Sequence, residues 1–219
     1  LIDMDPQANA STGLGVEIHS QLLSSYDVLI NNKEISNCIQ KTDIEYLDVL
    51  PASAQLAGAE IELVSMFTRE ALLKDAIKKI DGQYKYIIID SPPSLGLLTV
   101  NIFTAAHSII IPIQCEYYAL EGLSQLLNTI RLIQNNLNPK LEIEGVLITM
   151  YDSRLNLSNQ IVQEVNEYFG NKVYKTYIHR NVKLGEAPSF GKPILLYNAS
   201  STGSHNYMSL VSEILNHNG

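Results

Sequence analysis

Short runs of almost unbroken apolar residues, each about the length of a strand, alternate along this chain with longer stretches whose apolar residues recur at helical spacing. That alternation predicts the α/β class, with a mostly parallel sheet flanked by helices on both faces. Strands covered on both sides carry apolar residues at every position rather than every second one. The expected strands are residues 1–3, 46–50, 86–90, 108–113, 143–150 and 172–177. Helical stripes are expected from Leu72, Leu73, Ala76, Ile77 and Ile80, and from Leu120, Leu123, Leu126, Leu127, Ile130, Ile133 and Leu137. Two more come from Ile161, Val162, Val165 and Phe169, with Ser158 as cap, and from Met208, Val211, Ile214 and Leu215. Such stripes are core-facing surfaces and carry no chemistry.

At 219 residues, 46% of them hydrophobic, the chain can bury one sizeable core. It has no internal repeat, low-complexity tract or Gly/Ser linker, so one domain over residues 1–219 is expected. The formal net charge of -8 means that any contact with nucleic acid must be regional. Cys38 and Cys115 lie far apart without disulfide or zinc-ligand spacing, which fits a reducing, intracellular setting, and a cytoplasmic protein is expected. No apolar run approaches the roughly 20 residues that a membrane-spanning helix needs.

In an open parallel sheet, ligands bind at the carboxyl ends of the strands. Two strand ends here are acidic. Residues 86–90 close on Asp90, the physical form of a carboxylate held at the sheet edge to orient a magnesium ion. Residues 1–3 lead into Asp3-Met4-Asp5-Pro6. In an extended backbone Asp3 and Asp5 point to the same side, where two like charges call for a cation or an ordered hydrogen-bond network. The bland readings are a cap or turn group for Asp90 and a solvated Asp-Pro turn for the other pair.

Taken together, D-x-D-P-Q-x-N at residues 3–9 and I-I-I-D-S-P-P-S-L-G at residues 87–96 resemble the ParA/Soj branch of the deviant Walker NTPases. The resemblance continues through L-P-A at 50–52, A-G-A-E at 57–60, P-I-Q-C-E-Y-Y-A-L-E-G at 112–122, T-M-Y-D at 149–152 and R-N-V-K-L-G-E-A-P-S-F-G-K at 180–192. It covers essentially the whole chain in order.

The resemblance implies a P-loop NTPase-like fold and an ATP-dependent chromosome or plasmid partitioning protein. Such a protein dimerises on ATP and magnesium, binds DNA without sequence preference, and is switched by hydrolysis. By similarity, Asp5 positions the attacking water, while Asp3 and Asp90 belong to the magnesium site. Met150, Arg180 and Asn181 fall where the family holds the nucleotide. The family usually has a proline just before the Arg-Asn pair, but this chain has His179. Lys172, Lys175, Arg180, Lys183 and Lys192 concentrate positive charge in a region whose one anion is Glu186, a candidate DNA-phosphate surface. Thr202 stands where relatives tend to be basic. The implied partners are a second copy of the chain, a ParB-type centromere-binding protein and nonspecific DNA, at the nucleoid and with no membrane.

Members of this superfamily grip phosphates with a K-G-G-x-G-K-[ST] loop, and residues 1–219 contain none. Residues 185–192 come near, but the glycine spacing is wrong and Pro193 stands where Ser or Thr is required. Since Leu1 opens inside an apolar-acidic pattern, the expectation is a chain incomplete at its N-terminus, lacking the first β-loop-α unit and inactive alone. The competing readings are a catalytically inactive binding module, a membrane-cycling MinD-like ATPase and an iron–sulfur reductase. The MinD-like reading is opposed by the absence of Lys and Arg after Lys192, and the reductase by the lack of a suitable partner for Cys115.

Overall fold

The computed structural model describes residues 1–19, 21–116 and 122–217. They fall into two units, one of Leu1–His107 with Thr129–Leu141, the other of Ser108–Asn128 with Glu142–Gly219.

The first unit runs β1 (Ile2–Asp3), α1 (Asn9–Gly13), α2 (Ser25–Leu29), α3 (Ile35–Cys38), β2 (Gln40–Lys41), β3 (Asp48–Val49), α4 (Leu56–Glu62), α5 (Leu72–Lys78), β4 (Ile89–Asp90) and α6 (Leu97–Ala105). Strand β1 lies in the middle. It pairs parallel with β4 on one side, in the register Ile2↔Ile89 and Asp3↔Asp90, and bridges Leu50 in parallel on the other. Strands β2 and β3 form a small antiparallel ladder. Met4, Leu50, Leu56, Leu63, Leu73 and Leu98 are fully buried here, which is where an apolar alternation of strand and helix puts them.

Helix α6 also buries polar residues, and Asn101 finds the partners that a buried amide needs. Asn101 accepts the Leu73 amide at 3.3 Å and donates to the Arg69 and Leu97 carbonyls, fastening the start of α5 to α6. Asn138, beyond helix α7 (Leu123–Asn136), donates to the Phe103 and Ala106 carbonyls at the other end of α6. Within α7, Leu127, Ile130 and Ile133 are buried as its stripe requires. Leu120, expected on the same stripe, lies outside the described residues, as does all of residues 117–121.

In the second unit, β5 (Ser108–Gln114) and β6 (Glu142–Thr149) pair in parallel along their whole length, with one irregularity between Ile109 and Ile110. Helices α8 (Asn156–Phe169), α9 (Val182–Glu186), α10 (Ile194–Tyr197) and α11 (Thr202–His217) follow. Leu147, Tyr174, Ile178 and Leu210 form a buried cluster against which Leu184 and Ile214 pack. Gly145 makes this possible, because a Cβ there would stand 2.5 Å from the Tyr174 ring.

The structure corrects several expectations. Residues 172–177 are not a strand; only Val173 bridges Val146. The amides of Tyr174 and Ile178 do reach the Val146 and Ile148 carbonyls. Between them, the Lys175 and Thr176 amides turn away to the Glu213 carboxylate, at 2.7 and 3.0 Å, and so interrupt the ladder. Strand β3 covers only Asp48–Val49 of the expected 46–50, with Tyr46 at a positive φ and 94% exposed. Strand β4 is likewise confined to Ile89–Asp90. Helix α8 starts after Leu155, so Ser158 is a buried residue within the helix rather than its cap. On α11 the inward residues are Gly203, Ser204 and Leu210, with Ile214 partly buried, whereas Met208, Val211 and Leu215 are exposed. The reason is local: the seam of α11 is set by the Leu184 side chain, which occupies the space a Cβ at Gly203 would need.

Candidate active site

The parallel register of β1 and β4 sets Asp3 directly beside Asp90 at the carboxyl ends of adjacent strands. The two carboxylates then meet different environments. Asp3 is fully buried. Its Oδ1 accepts the Asp5 amide at 3.1 Å, and its Oδ2 accepts both the amide and the hydroxyl of Ser11, at 2.8 and 2.7 Å. The Ser11 oxygen in turn accepts the Ala52 amide, and the Ser25 hydroxyl donates to the Asp3 carbonyl. The β1·β4 pairing continues to Met4, whose amide bonds the Asp90 carbonyl, and the backbone turns only from Asp5, with the Ala8 amide bonded to the Asp5 carbonyl and Ala8 at φ 53°. The like-charge conflict expected of an extended Asp3-Met4-Asp5 is therefore met, at Asp3, by three hydrogen-bond donors.

Asp5 is partly exposed, and its one described side-chain bond accepts the Gln7 amide at 2.9 Å, which leaves its second oxygen available. Asp90 is half-buried and has no side-chain partner among the described residues. Burial pushes its pKa up, and the charges of Asp3 and Asp5 push it further in the same direction. A carboxylate in that condition is the environment that a cation relieves. Among the described residues, no group of three or more His, Cys, Asp and Glu side chains could hold a metal by itself. A half-buried Asp90 in register beside Asp3 fits a magnesium ion, which binds through one or two carboxylates and takes its other ligands from water and phosphate.

In the second unit, the sequence-expected nucleotide residues converge through a parallel bridge between Tyr151 and His179. Met150 sits just before it in the left-handed region, at φ 54°. The Tyr151 amide donates to the Ile178 carbonyl, and the Arg180 amide returns to the Tyr151 carbonyl. The rings of Tyr177 and His179 both meet the Tyr151 ring edge-on, at 5.2 and 5.3 Å. Asn181 caps α9, its side-chain oxygen accepting the Lys183 amide at 2.8 Å. His179 uses what a proline lacks: its backbone N–H donates to Asn206 Oδ1 at 3.2 Å.

The five expected DNA-contacting cations divide. Arg180 pairs with Glu116 at 3.1 Å and Lys183 with Glu186 at 2.8 Å. Lys172, Lys175 and Lys192 have no ion-pair partner among the described residues. Sequence reasoning did not single out Ser11, Ser25, Glu60 or Glu213. Of these, only Glu60 had a signal, as the last residue of the A-G-A-E segment.

An AAA-domain family model matches residues 1–143. The chain is 56% identical over 214 residues to the sporulation initiation inhibitor protein Soj of Bacillus subtilis, covering 98% of this chain and 85% of that one. It is 50% identical over 215 residues to the chromosome partitioning protein ParA of Myxococcus xanthus, covering 98% and 76% respectively. Among solved structures, it resembles a cobyrinic acid a,c-diamide synthase from Mycobacterium smegmatis with bound ADP and magnesium. That likeness has a TM-score of 0.84 at 36% identity and covers 99% of this chain and 80% of that one. It also superimposes on apo McdA of Cyanothece, TM-score 0.86 at 19% identity, covering 98% and 86%, a likeness of fold alone. The α/β architecture is that of the P-loop NTPases.

Proposed function

Because the chain belongs to the ParA/Soj family of partitioning ATPases, we propose that it binds ATP with magnesium, hydrolyses it, and uses the cycle to partition a chromosome or plasmid. The observation that carries this reading is Asp90, a half-buried, unpartnered carboxylate set in register beside Asp3 at the ends of two parallel strands. Asp90 would hold the magnesium ion, and Asp3 belongs to the same site as the residue that fixes the backbone of the Asp5 turn. Magnesium would supply charge neutralisation of the nucleotide phosphates. Asp5, with an oxygen to spare, orients the attacking water. Little covalent chemistry is needed from the protein in phosphoryl transfer, so this division of labour suffices.

Met150, Arg180 and Asn181 contribute to the nucleotide pocket in this reading, and Lys172, Lys175, Arg180, Lys183 and Lys192 to a nonspecific DNA surface. The partners are a second copy closing on ATP and a ParB-type centromere-binding protein, with the protein cytoplasmic and nucleoid-associated. We read residues 1–219 as one ATPase domain, supported by relatives that align along 98% of the chain. No helix among the described residues is long and apolar enough to cross a membrane.

The test is magnesium-dependent phosphate release by the intact gene product, with ATP-dependent dimerisation followed by light scattering. Turnover that is lost in Asp90→Asn supports the reading. Absence of turnover in the unaltered protein favours a binding module instead.

A further inference from the structure

Helix α6, which follows the Asp90 strand, has Gly96 at its N-cap and therefore no side chain of its own to satisfy its first amides. A residue from another helix supplies the acceptors. Glu60 of α4 accepts the Leu97 amide at 2.7 Å through Oε2 and the Leu98 amide at 3.3 Å through Oε1. The fit leaves no room for a side chain at position 96, where a Cβ would stand 2.3 Å from the same carboxylate. The charge of Glu60 also sits at the positive end of the α6 dipole.

From this we infer that Glu60 is a positioning residue for the hydrolytic site, acting through residues 91–96; the inference rests on the ATPase reading above. The segment is anchored at both ends. Its start is held by the Met4 amide, which donates to the Asp90 carbonyl at 3.0 Å, and its end by Glu60. Between them Pro92 and Pro93 fix two φ angles and remove two amide donors, so the segment is stiff and can find few bonds of its own. The described ones are Thr99 Oγ1 to the Ser94 carbonyl, the Ser91 hydroxyl to the Pro92 carbonyl and, where α6 begins, the Val100 amide to the Gly96 carbonyl. A stiff segment passes a displacement at one end to the other. Glu60 is also tied to the opposite acidic strand end, because α4 follows Ala52, whose amide bonds to Ser11 and through it to Asp3. One carboxylate thus references the segment after Asp90 to the end of β1, from which the Asp5 turn leaves.

The experiment measures steady-state ATP turnover, nucleotide affinity and amide hydrogen exchange on the intact gene product. Glu60→Ala should lower kcat by about tenfold or more while ATP Kd stays within about twofold, since only the placement of reacting groups is lost. Glu60→Gln keeps an oxygen for the Leu97 amide and should stay within about threefold of the unaltered kcat. The control is Asn138→Ala, which breaks the bonds at the opposite end of α6 and should cost melting temperature without lowering kcat. An unchanged kcat in Glu60→Ala, or an equal loss in Asn138→Ala at the same drop in melting temperature, overturns the inference. If the unaltered protein shows no turnover, the ATPase reading falls and exchange alone decides on Glu60. Faster exchange over residues 91–98 in Glu60→Ala then supports its positioning role, and unchanged exchange sinks it.

Discussion

The Ser11 hydroxyl donates to Asp3 Oδ2 over 2.7 Å while its oxygen accepts the Ala52 amide at 3.1 Å, so one small side chain joins the end of β1 to the segment leading into α4. All three groups are buried. Ser11→Ala removes a donor from a buried carboxylate and leaves the Ala52 N–H without a partner. Losing a partner from buried polar groups costs about 1–3 kcal/mol. The urea midpoint should fall accordingly with the m-value unchanged, which equilibrium unfolding measures directly.

Asp5 has the opposite character, since its side chain supports little of the fold: one bond to the Gln7 amide. The contact that holds its turn to Asp3 runs through the Asp5 backbone and survives truncation of the side chain. Asp5→Ala should therefore leave the melting temperature and ATP affinity nearly unchanged. Positioned proton-handling groups contribute about 100-fold or more to rate, and single-turnover phosphate release should slow by that order.

Asp90 makes stability depend on pH in the direction opposite to a salt-bridged carboxylate. Its folded pKa lies above the ordinary 3.8, chiefly through burial and then through the charges of Asp3 and Asp5. The folded state therefore holds the proton more tightly than the unfolded chain does. The contribution of this group to stability is greatest below the unfolded pKa and declines as pH rises through the folded value. Asp90→Asn should remove that decline and raise the urea midpoint at neutral pH. Magnesium with nucleotide should raise the midpoint of the unaltered protein and have a smaller effect on the variant, because the relieved charge is gone.

The acidic strand ends were legible in the sequence because each follows an apolar run, and because a parallel sheet brings strand ends to one edge. That pattern placed Asp3 and Asp90 at one sheet edge; the site roles of Asp3, Asp5 and Asp90 came from the family resemblance. What holds them was not legible. Ser11 bonds nearby Asp3 and, far along the chain, Ala52, and Glu60 bonds the distant start of α6; hydrophobic period carries no trace of such pairings. The Lys175 and Thr176 amides left their expected strand for Glu213 for the same reason: a distant carboxylate competed with the ladder and won. On α11 the period correctly announced a helix, but the seam lies along Gly203 and Leu210 because the Leu184 and Tyr174 side chains occupy that side. Period gives the width of an apolar stripe; which edge of it is covered depends on the partner.

The five cations of residues 172–192 should differ in their effect on DNA binding, because their charges are not equally available. Each phosphate neutralised by a cation contributes about 0.9 to the slope of log affinity against log salt. Lys175 has no ion pair among the described residues, so Lys175→Ala should lower that slope by nearly the full amount, equally for unrelated DNA sequences. Lys183 is already countered by Glu186 at 2.8 Å, and its ammonium lies 5.9 Å from the centre of the Tyr197 ring. The pairing holds the Glu186 carboxyl below the usual range, chiefly through the Lys183 hydrogen bond and then that of Tyr197, so the anion persists at any pH where the protein would meet DNA. Lys183→Ala should therefore change the slope less than Lys175→Ala. Glu186→Gln should do the reverse of a lysine substitution: it releases Lys183 and should strengthen binding in the presence of ATP and magnesium. Fluorescence anisotropy across a salt series measures all three. A ranking in which Lys183→Ala costs more than Lys175→Ala, or in which Glu186→Gln weakens binding, would show that the contact surface lies elsewhere on the chain.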